Sequence, residues 1–398
     1  MKTIIRTRSF TLMLCVVLLL LTPLSSIQAE NSTVTTHARA AALIDVESGR
    51  ILYSSRGDEP MLIASLTKIM TAIVAIENGD LASKVKVGKN AFAKEGSSIY
   101  LKQGEEMTLE NMLYGLMLRS GNDAATAIAE HIGGSEEGFV YMMNTKADEL
   151  GLRNTHFANP HGLDAEGHYS SANDLAVLTA YALHNPVFKE IVKTEERTAD
   201  NPYEKWDYKW RNKNKMLYLY EGADGVKTGY TKKALRCLVS SATRNGQQLV
   251  AVTINDGDDW NDHANLLNFG FNHFPLKTLI ERGDPVSGYN FVASRTFAYP
   301  LGQGEQNRVI TKLVLNQKRE TSSNTRDNFG LQGALVLELG SKEIGRVPVY
   351  SPEFLPPEQS LYHKKYEPTQ AEAYPAGNWL QALGSALRAL FELGAGIK

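Results

Sequence analysis

Two strand-like stretches flank a long helix-rich region, and that order constrains the fold more than any other feature of the chain. The first, "AAALIDVESGRILYSS" at residues 40–55, alternates in polarity around the turn signal Glu47-Ser48-Gly49, as a hairpin does. An apolar helical pattern then runs from about Ile63 to Glu77, and a polar, helix-rich stretch continues to about residue 195. Strand character returns in "GADGVKTGYT" and "ALRCLVSSATRNGQQLVAVTIN", where Asn245-Gly246 joins two strand-like runs as a tight hairpin turn would. Strand, helices, then strands predicts an α+β domain with a mainly antiparallel sheet, over residues 30–275.

Beyond it, "GYNFVASRTFAYPL", "RVITKLVLNQ" and "ALVLELGSKEIGRVPVYS" read as short strands between turn residues, which predicts a small all-β domain at 276–352. A Pro-, Glu- and Tyr-rich linker at 353–377 precedes a helical pattern at 378–398. There Trp379, Leu380, Leu383, Leu387, Leu390 and Phe391 share one face. That segment is shorter than the roughly 20 apolar residues a bilayer span takes. It suits an interfacial helix, and a face packed on the β-domain is the competing reading.

The chain opens with Lys2, Arg6 and Arg8, an apolar run from Phe10 to Leu21, and small residues leading to Ala29. This is the pattern of a signal peptide, residues 1–29, and predicts an exported protein. Once Cys15 leaves with it, Cys237 is alone and no intramolecular disulfide forms. A net charge of -2 without a basic stripe gives no footprint for nucleic acid. No His-Glu-x-x-His or cysteine–histidine cluster points to a metal site.

Within "IASLTKIMTA", residues 63–72, Ser65 and Lys68 stand three apart in a run otherwise fit for burial. A buried ammonium costs several kcal/mol unless something uses or compensates it. On a helix, i and i+3 share a face, so the hydroxyl and the amine can touch; a cap and a snorkelling lysine would look the same. Ser-x-x-Lys is expected about once by chance in such a chain. "RSGND" adds Ser120 and Asn122, although Ser171-Ala172-Asn173 and Ser322-Ser323-Asn324 share that spacing and most such matches are caps or turns. "GVKTG" adds Lys227, Thr228 and Gly229 on a strand, a tripeptide expected in only about one chain in ten.

In that order the three motifs resemble those of the penicillin-binding serine peptidases and serine β-lactamases. Longer stretches, "GSSIYLKQGEEMTLENMLYGLMLRSGNDAATAIAEHIGGS" and "LGLRNTHFANPHGLDAEGHYSSANDLA" among them, are similar to low-molecular-mass D-alanyl-D-alanine carboxypeptidases from about Ala40 to Phe274. The segments "VTINDGDDWNDH" and "FVYMMN" look most like the sporulation-associated DacB type. The resemblance implies a serine β-lactamase/D,D-peptidase-like fold, no cofactor and a peptidoglycan stem peptide ending in D-Ala-D-Ala as substrate. It also implies β-lactams as covalent inhibitors, and a place on the outer face of the cytoplasmic membrane through the C-terminal helix.

Carried onto these residues, the resemblance makes Ser65 the nucleophile and Lys68 its base, which needs burial and a second cation, Lys227, to depress its pKa. Ser120 would relay a proton to the leaving amine, while Asn122 binds the substrate amide and holds Lys68. Lys227 and Thr228 would bind the terminal carboxylate, with Gly229 letting the substrate backbone lie against the strand. Backbone N–H groups of Ser65 and Tyr230 would form the oxyanion hole. One departure stands out: the loop "DGDDWNDHA" lacks the arginine that related enzymes often carry there, leaving His263 and Arg236 as candidate supplementary cations. A class A β-lactamase reading is disfavoured because Glu166 is followed by "GHYS" rather than x-x-Leu-Asn. A non-catalytic binding module would be expected to have lost Ser65 or Lys68.

Overall fold

The computed structural model describes residues 34–316 and 330–357. The amino-terminal segment expected to be a signal peptide, most of the expected linker and the expected helix at 378–398 lie outside the described residues. The chain divides into two units, one running through Lys277 and including Tyr299–Asn307, the other made of Thr278–Ala298 and the residues from Arg308 on.

A five-stranded antiparallel sheet organises the first unit. Its strands are β1 (Ala40–Asp45), β2 (Ile51–Ser55), β3 (Ala223–Thr231), β4 (Leu235–Arg244) and β5 (Gln247–Ile254). They lie in the order β2-β1-β5-β4-β3, so the two chain segments separated by the helical region meet where β1 pairs with β5. Gly49 turns the β1–β2 hairpin at φ 64, a conformation glycine adopts without a Cβ penalty. Alternate residues of β1 enter two different cores. Ala40, Ala42 and Ile44 join the large one, while Ala41 and Leu43 face a smaller one completed by Leu266 and Leu267. Both faces of the sheet are therefore covered, which is why β1 is apolar at five of its six positions rather than alternating.

Six helices cover the sheet: α1 (Lys68–Asn78), α2 (Asn122–Gly133), α3 (Glu136–Glu149), α4 (Ala172–Leu183), α5 (Pro186–Lys193) and α6 (Asp259–His273). Ser135, Ser171 and Asn185 cap α3, α4 and α5, each accepting a hydrogen bond from a first-turn backbone N–H. Ser171-Ala172-Asn173 is thus a helix cap. The expected helix from Ile63 differs at its start: Ala64–Thr67 is a 3-10 turn, and α-helical geometry begins at Lys68.

In the second unit, β6 (Val292–Ala293), β7 (Val309–Leu315), β8 (Leu331–Leu339) and β9 (Lys342–Tyr350) form an antiparallel sheet ordered β6-β9-β8-β7. Its small core gathers Ile280, Ala293, Leu337 and Val347.

Candidate active site

The tight turn at Ala64–Thr67 presents Ser65 at the foot of α1. Ala64 sits at φ 48, a left-handed conformation that costs a non-glycine residue about 1 kcal/mol and marks a constrained position. Lys68 is the first residue of α1 and is wholly buried, followed by the buried Ile69, Met70, Ala72, Ile73 and Val74. Its Nζ lies 3.1 Å from Ser65 Oγ and donates to Asn122 Oδ1 at 2.8 Å and to the His161 carbonyl. Ser65 has no capping hydrogen bond, so the capping interpretation of Ser-x-x-Lys does not apply. Burial, reinforced by the charges of Lys227 and Lys213, pushes the Lys68 amine well below the usual lysine range. The arrangement holds a largely neutral amine against a hydroxyl.

A wide π-turn, Gly115–Arg119, leads into Ser120, which adopts φ 65 in the left-handed region. Its Oγ is buried without a protein hydrogen-bond partner. Asn122 is locked on both sides of its amide, accepting from Lys68 and donating through Nδ2 to the Glu95 carbonyl at 2.6 Å. Its backbone N–H reaches the Ser97 carbonyl at 2.7 Å. The next residue, Asp123, is buried and accepts from the backbone N–H of Ile99 and Leu101 and from the Ser98 hydroxyl. That carboxylate fixes the 97–101 loop along which Asn122 is held.

Opposite, β3 carries Lys227, Thr228 and Gly229 past Ser65. A Cβ on Gly229 would stand 3.2 Å from both the Ile63 carbonyl oxygen and the Ser65 backbone nitrogen, so the strand passes close to the Ser65 amide only because the residue is glycine. Tyr230 is exposed at the strand's outer end. Lys227 is buried, its Nζ donates to the Thr228 carbonyl at 2.8 Å, and burial together with the Lys213 charge pushes it down to about 7.

A loop spanning residues 159–168 closes the floor. Besides the His161 carbonyl on Lys68, it brings His168, whose Nδ1 accepts from the Ala158 N–H at 3.0 Å. The other nitrogen, Nε2, therefore carries the proton and donates to Thr67 Oγ1 at 2.8 Å, which in turn donates to the Ala64 carbonyl. Burial keeps His168 neutral, its pKa pushed down to about 4. Asp164 accepts from Thr231 Oγ1 at 2.9 Å, tying the loop to β3.

Of the two cations expected to supplement Lys227, His263 is excluded. It is wholly buried between Ser240 and Thr253, and burial pushes it down to about 3, so it is neutral and out of reach. Arg236 is paired with Asp259 of the acidic loop. A second Ser-x-x-Lys, Ser83 to Lys86, falls on a short strand, and Ser83 Oγ instead bonds the Asp80 carbonyl and His131. The contributions of His161, Asp123, His168 and Lys213 were not read from sequence. His161 and His168 stand within a segment already singled out for resemblance, and Asp123 directly follows Asn122. Lys213 had no such signal.

The family described as D-alanyl-D-alanine carboxypeptidase, peptidase S11, matches residues 26–258. The chain is 36% identical over 334 residues to the D-alanyl-D-alanine carboxypeptidase DacF of Bacillus subtilis, covering 79% of this chain and 85% of that protein. Among solved structures, penicillin binding protein 5 from Haemophilus influenzae aligns with TM-score 0.63 and 27% identity over 79% of this chain and 96% of that one. A mutant of the Streptomyces K15 DD-transpeptidase aligns with TM-score 0.57 and 33% identity, over 60% and 99% of the two chains.

Proposed function

The chain belongs to the peptidase S11 family of D-alanyl-D-alanine carboxypeptidases, and from that premise we propose how its own residues remove the terminal D-alanine of peptidoglycan stem peptides. The observation that carries this reading is the buried Lys68 amine 3.1 Å from Ser65 Oγ, with no carboxylate bonded to it. Ser65 Oγ attacks the carbonyl of the D-Ala-D-Ala bond while Lys68 takes its proton, giving an acyl-enzyme and, after protonation of the amine, free D-alanine. Ser120, with its unpartnered hydroxyl, delivers that proton. Asn122 holds Lys68 in register and meets the substrate amide. Lys227 and Thr228 hold the terminal carboxylate, and the N–H groups of Ser65 and Tyr230 stabilise the developing oxyanion, each such donor being worth about 3 kcal/mol. Water then hydrolyses the ester. β-Lactams carry a strained amide and a carboxylate in the same relation and acylate Ser65 by the same route.

The Streptomyces K15 neighbour is titled a DD-transpeptidase, which supports a second fate for the acyl group, transfer to an amine in place of water. Incubation with an N-acylated D-Ala-D-Ala peptide tests the main reading. Release of D-alanine by wild type and its loss in Lys68→Ala are expected; release at wild-type rate by Lys68→Ala would contradict the assignment of the base.

We also propose that the protein is exported and held at the outer face of the cytoplasmic membrane by the 378–398 segment, and that it matures cell-wall or spore-cortex peptidoglycan. The amino-terminal sequence pattern and the apolar stripe support the placement. The resemblance to sporulation-associated enzymes supports the cortex role.

A further inference from the structure

Lys213 lies on the segment between α5 and β3, and its exposed position is built with unusual care. Buried asparagines flank it. Asn212 donates from Nδ2 to the Val192 and Thr194 carbonyls, and its Oδ1 accepts from the Asn214 backbone N–H. The Lys213 backbone N–H donates to the Leu118 carbonyl at 3.2 Å, two residues before Ser120. At the other end of the side chain, Nζ donates to Ser97 Oγ at 3.2 Å, and the carbonyl of that same Ser97 holds the Asn122 backbone. Both ends of Lys213 are thus fixed to the two strands of chain that form the Ser120–Asn122 corner.

Its charge environment is one-sided. Arg119 is its nearest charged influence, and it in turn bears on both Lys68 and Lys227. Among the described residues no carboxylate lies within ion-pair distance of Lys213, Lys227 or Lys68. Gathering like charges in a partly desolvated corner is unfavourable in the free protein, and an anion entering between them relieves it. Meanwhile the loop where relatives often place an arginine is acidic here, and Asp259 within it engages Arg236.

We propose that Lys213 is the second cation of the carboxylate subsite, acting with Lys227 and filling the role left open by the acidic 255–263 loop. It makes the enzyme select peptides that end in a free carboxylate. This deepens the carboxypeptidase reading and rests on it.

The test separates the two. In a Ser65→Ala background, which binds without turning over, an N-acylated D-Ala-D-Ala peptide and its C-terminal amide are titrated by NMR. The acid should bind at least about tenfold more tightly than the amide. Lys213→Met should reduce that preference below about threefold by weakening the acid alone, and Lys213→Arg should retain it. Ser97→Ala, which removes the hydrogen bond and keeps the charge, should leave most of the preference in place. An undiminished preference in Lys213→Met, or equal losses for acid and amide, would overturn the inference. D-Alanine release by the enzyme with Ser65 intact reports on the carboxypeptidase reading by itself. Thermal midpoints of the variants show whether the fold is retained.

Discussion

Two buried cations with opposite tasks sit a few ångströms from one serine. Lys68 must be neutral to accept a proton, and burial beside other cations makes it so. Lys227 must be charged to hold a carboxylate, yet burial has brought it down to about 7, so its charge fades as pH rises through neutrality in the free enzyme. A bound carboxylate restores part of it. KM for a free-acid peptide should therefore climb above about pH 7 while that of the corresponding amide stays level. Parallel curves from about pH 6 to pH 9 would show that Lys227 does not grip the carboxylate. His168 yields a stability prediction of the opposite character. Its folded pKa is lowered from 6.5 to about 4, so the neutral form that serves Thr67 is fully favoured above 6.5. Its contribution, on the order of 3 kcal/mol, is lost as pH falls from 6.5 toward 4. Urea unfolding across that range should show a shallower pH slope in His168→Gln than in wild type; identical slopes would remove His168 from the account.

At the scale of elements, the site depends on how closely β3 and the 159–168 loop approach the turn before α1. Gly162 makes this quantitative: it sits at φ 84, and a Cβ there would fall 1.9 Å from the Ala64 carbonyl oxygen. Gly162→Ala cannot be accommodated without moving the loop that supplies the His161 carbonyl to Lys68. Expected losses are about 2–4 kcal/mol in stability and at least about tenfold in the rate of acylation by penicillin. Wild-type acylation and an unchanged melting temperature would contradict that dependence. The elements themselves were partly legible in sequence. The β1–β2 hairpin announced itself through its turn residues, and the β4–β5 hairpin through Asn245-Gly246. The 3-10 turn did not, because it differs from a helical turn by one hydrogen-bond register and leaves no distinct residue pattern. The motif residues could be placed together because their order and spacing resembled a known family. Lys213 and His263 could not be judged that way. Whether a cation faces a site or is sealed behind a sheet is a tertiary fact with no local signature.

The whole molecule combines a catalytic unit with a separate small β-sheet unit and a C-terminal sequence suited to a membrane surface. Half-buried Arg50 pairs with Glu305 at 2.8 Å and also donates to the Pro300 carbonyl, which accounts for the return of Tyr299–Asn307 to the first unit after the chain has left it. No sequence pattern marked that return. If the 378–398 segment is the anchor, deleting residues from Asn378 onward should shift active enzyme from the membrane to the soluble fraction, with penicillin acylation unchanged. Sedimentation of the truncated protein with membranes would assign the attachment elsewhere. The central claim, however, concerns one bond. Intact-protein mass spectrometry after incubation with benzylpenicillin should show a single covalent adduct, mapped to Ser65 by peptide digestion and absent from Ser65→Ala. An adduct that persists in that variant, or that maps to another residue, would contradict the account.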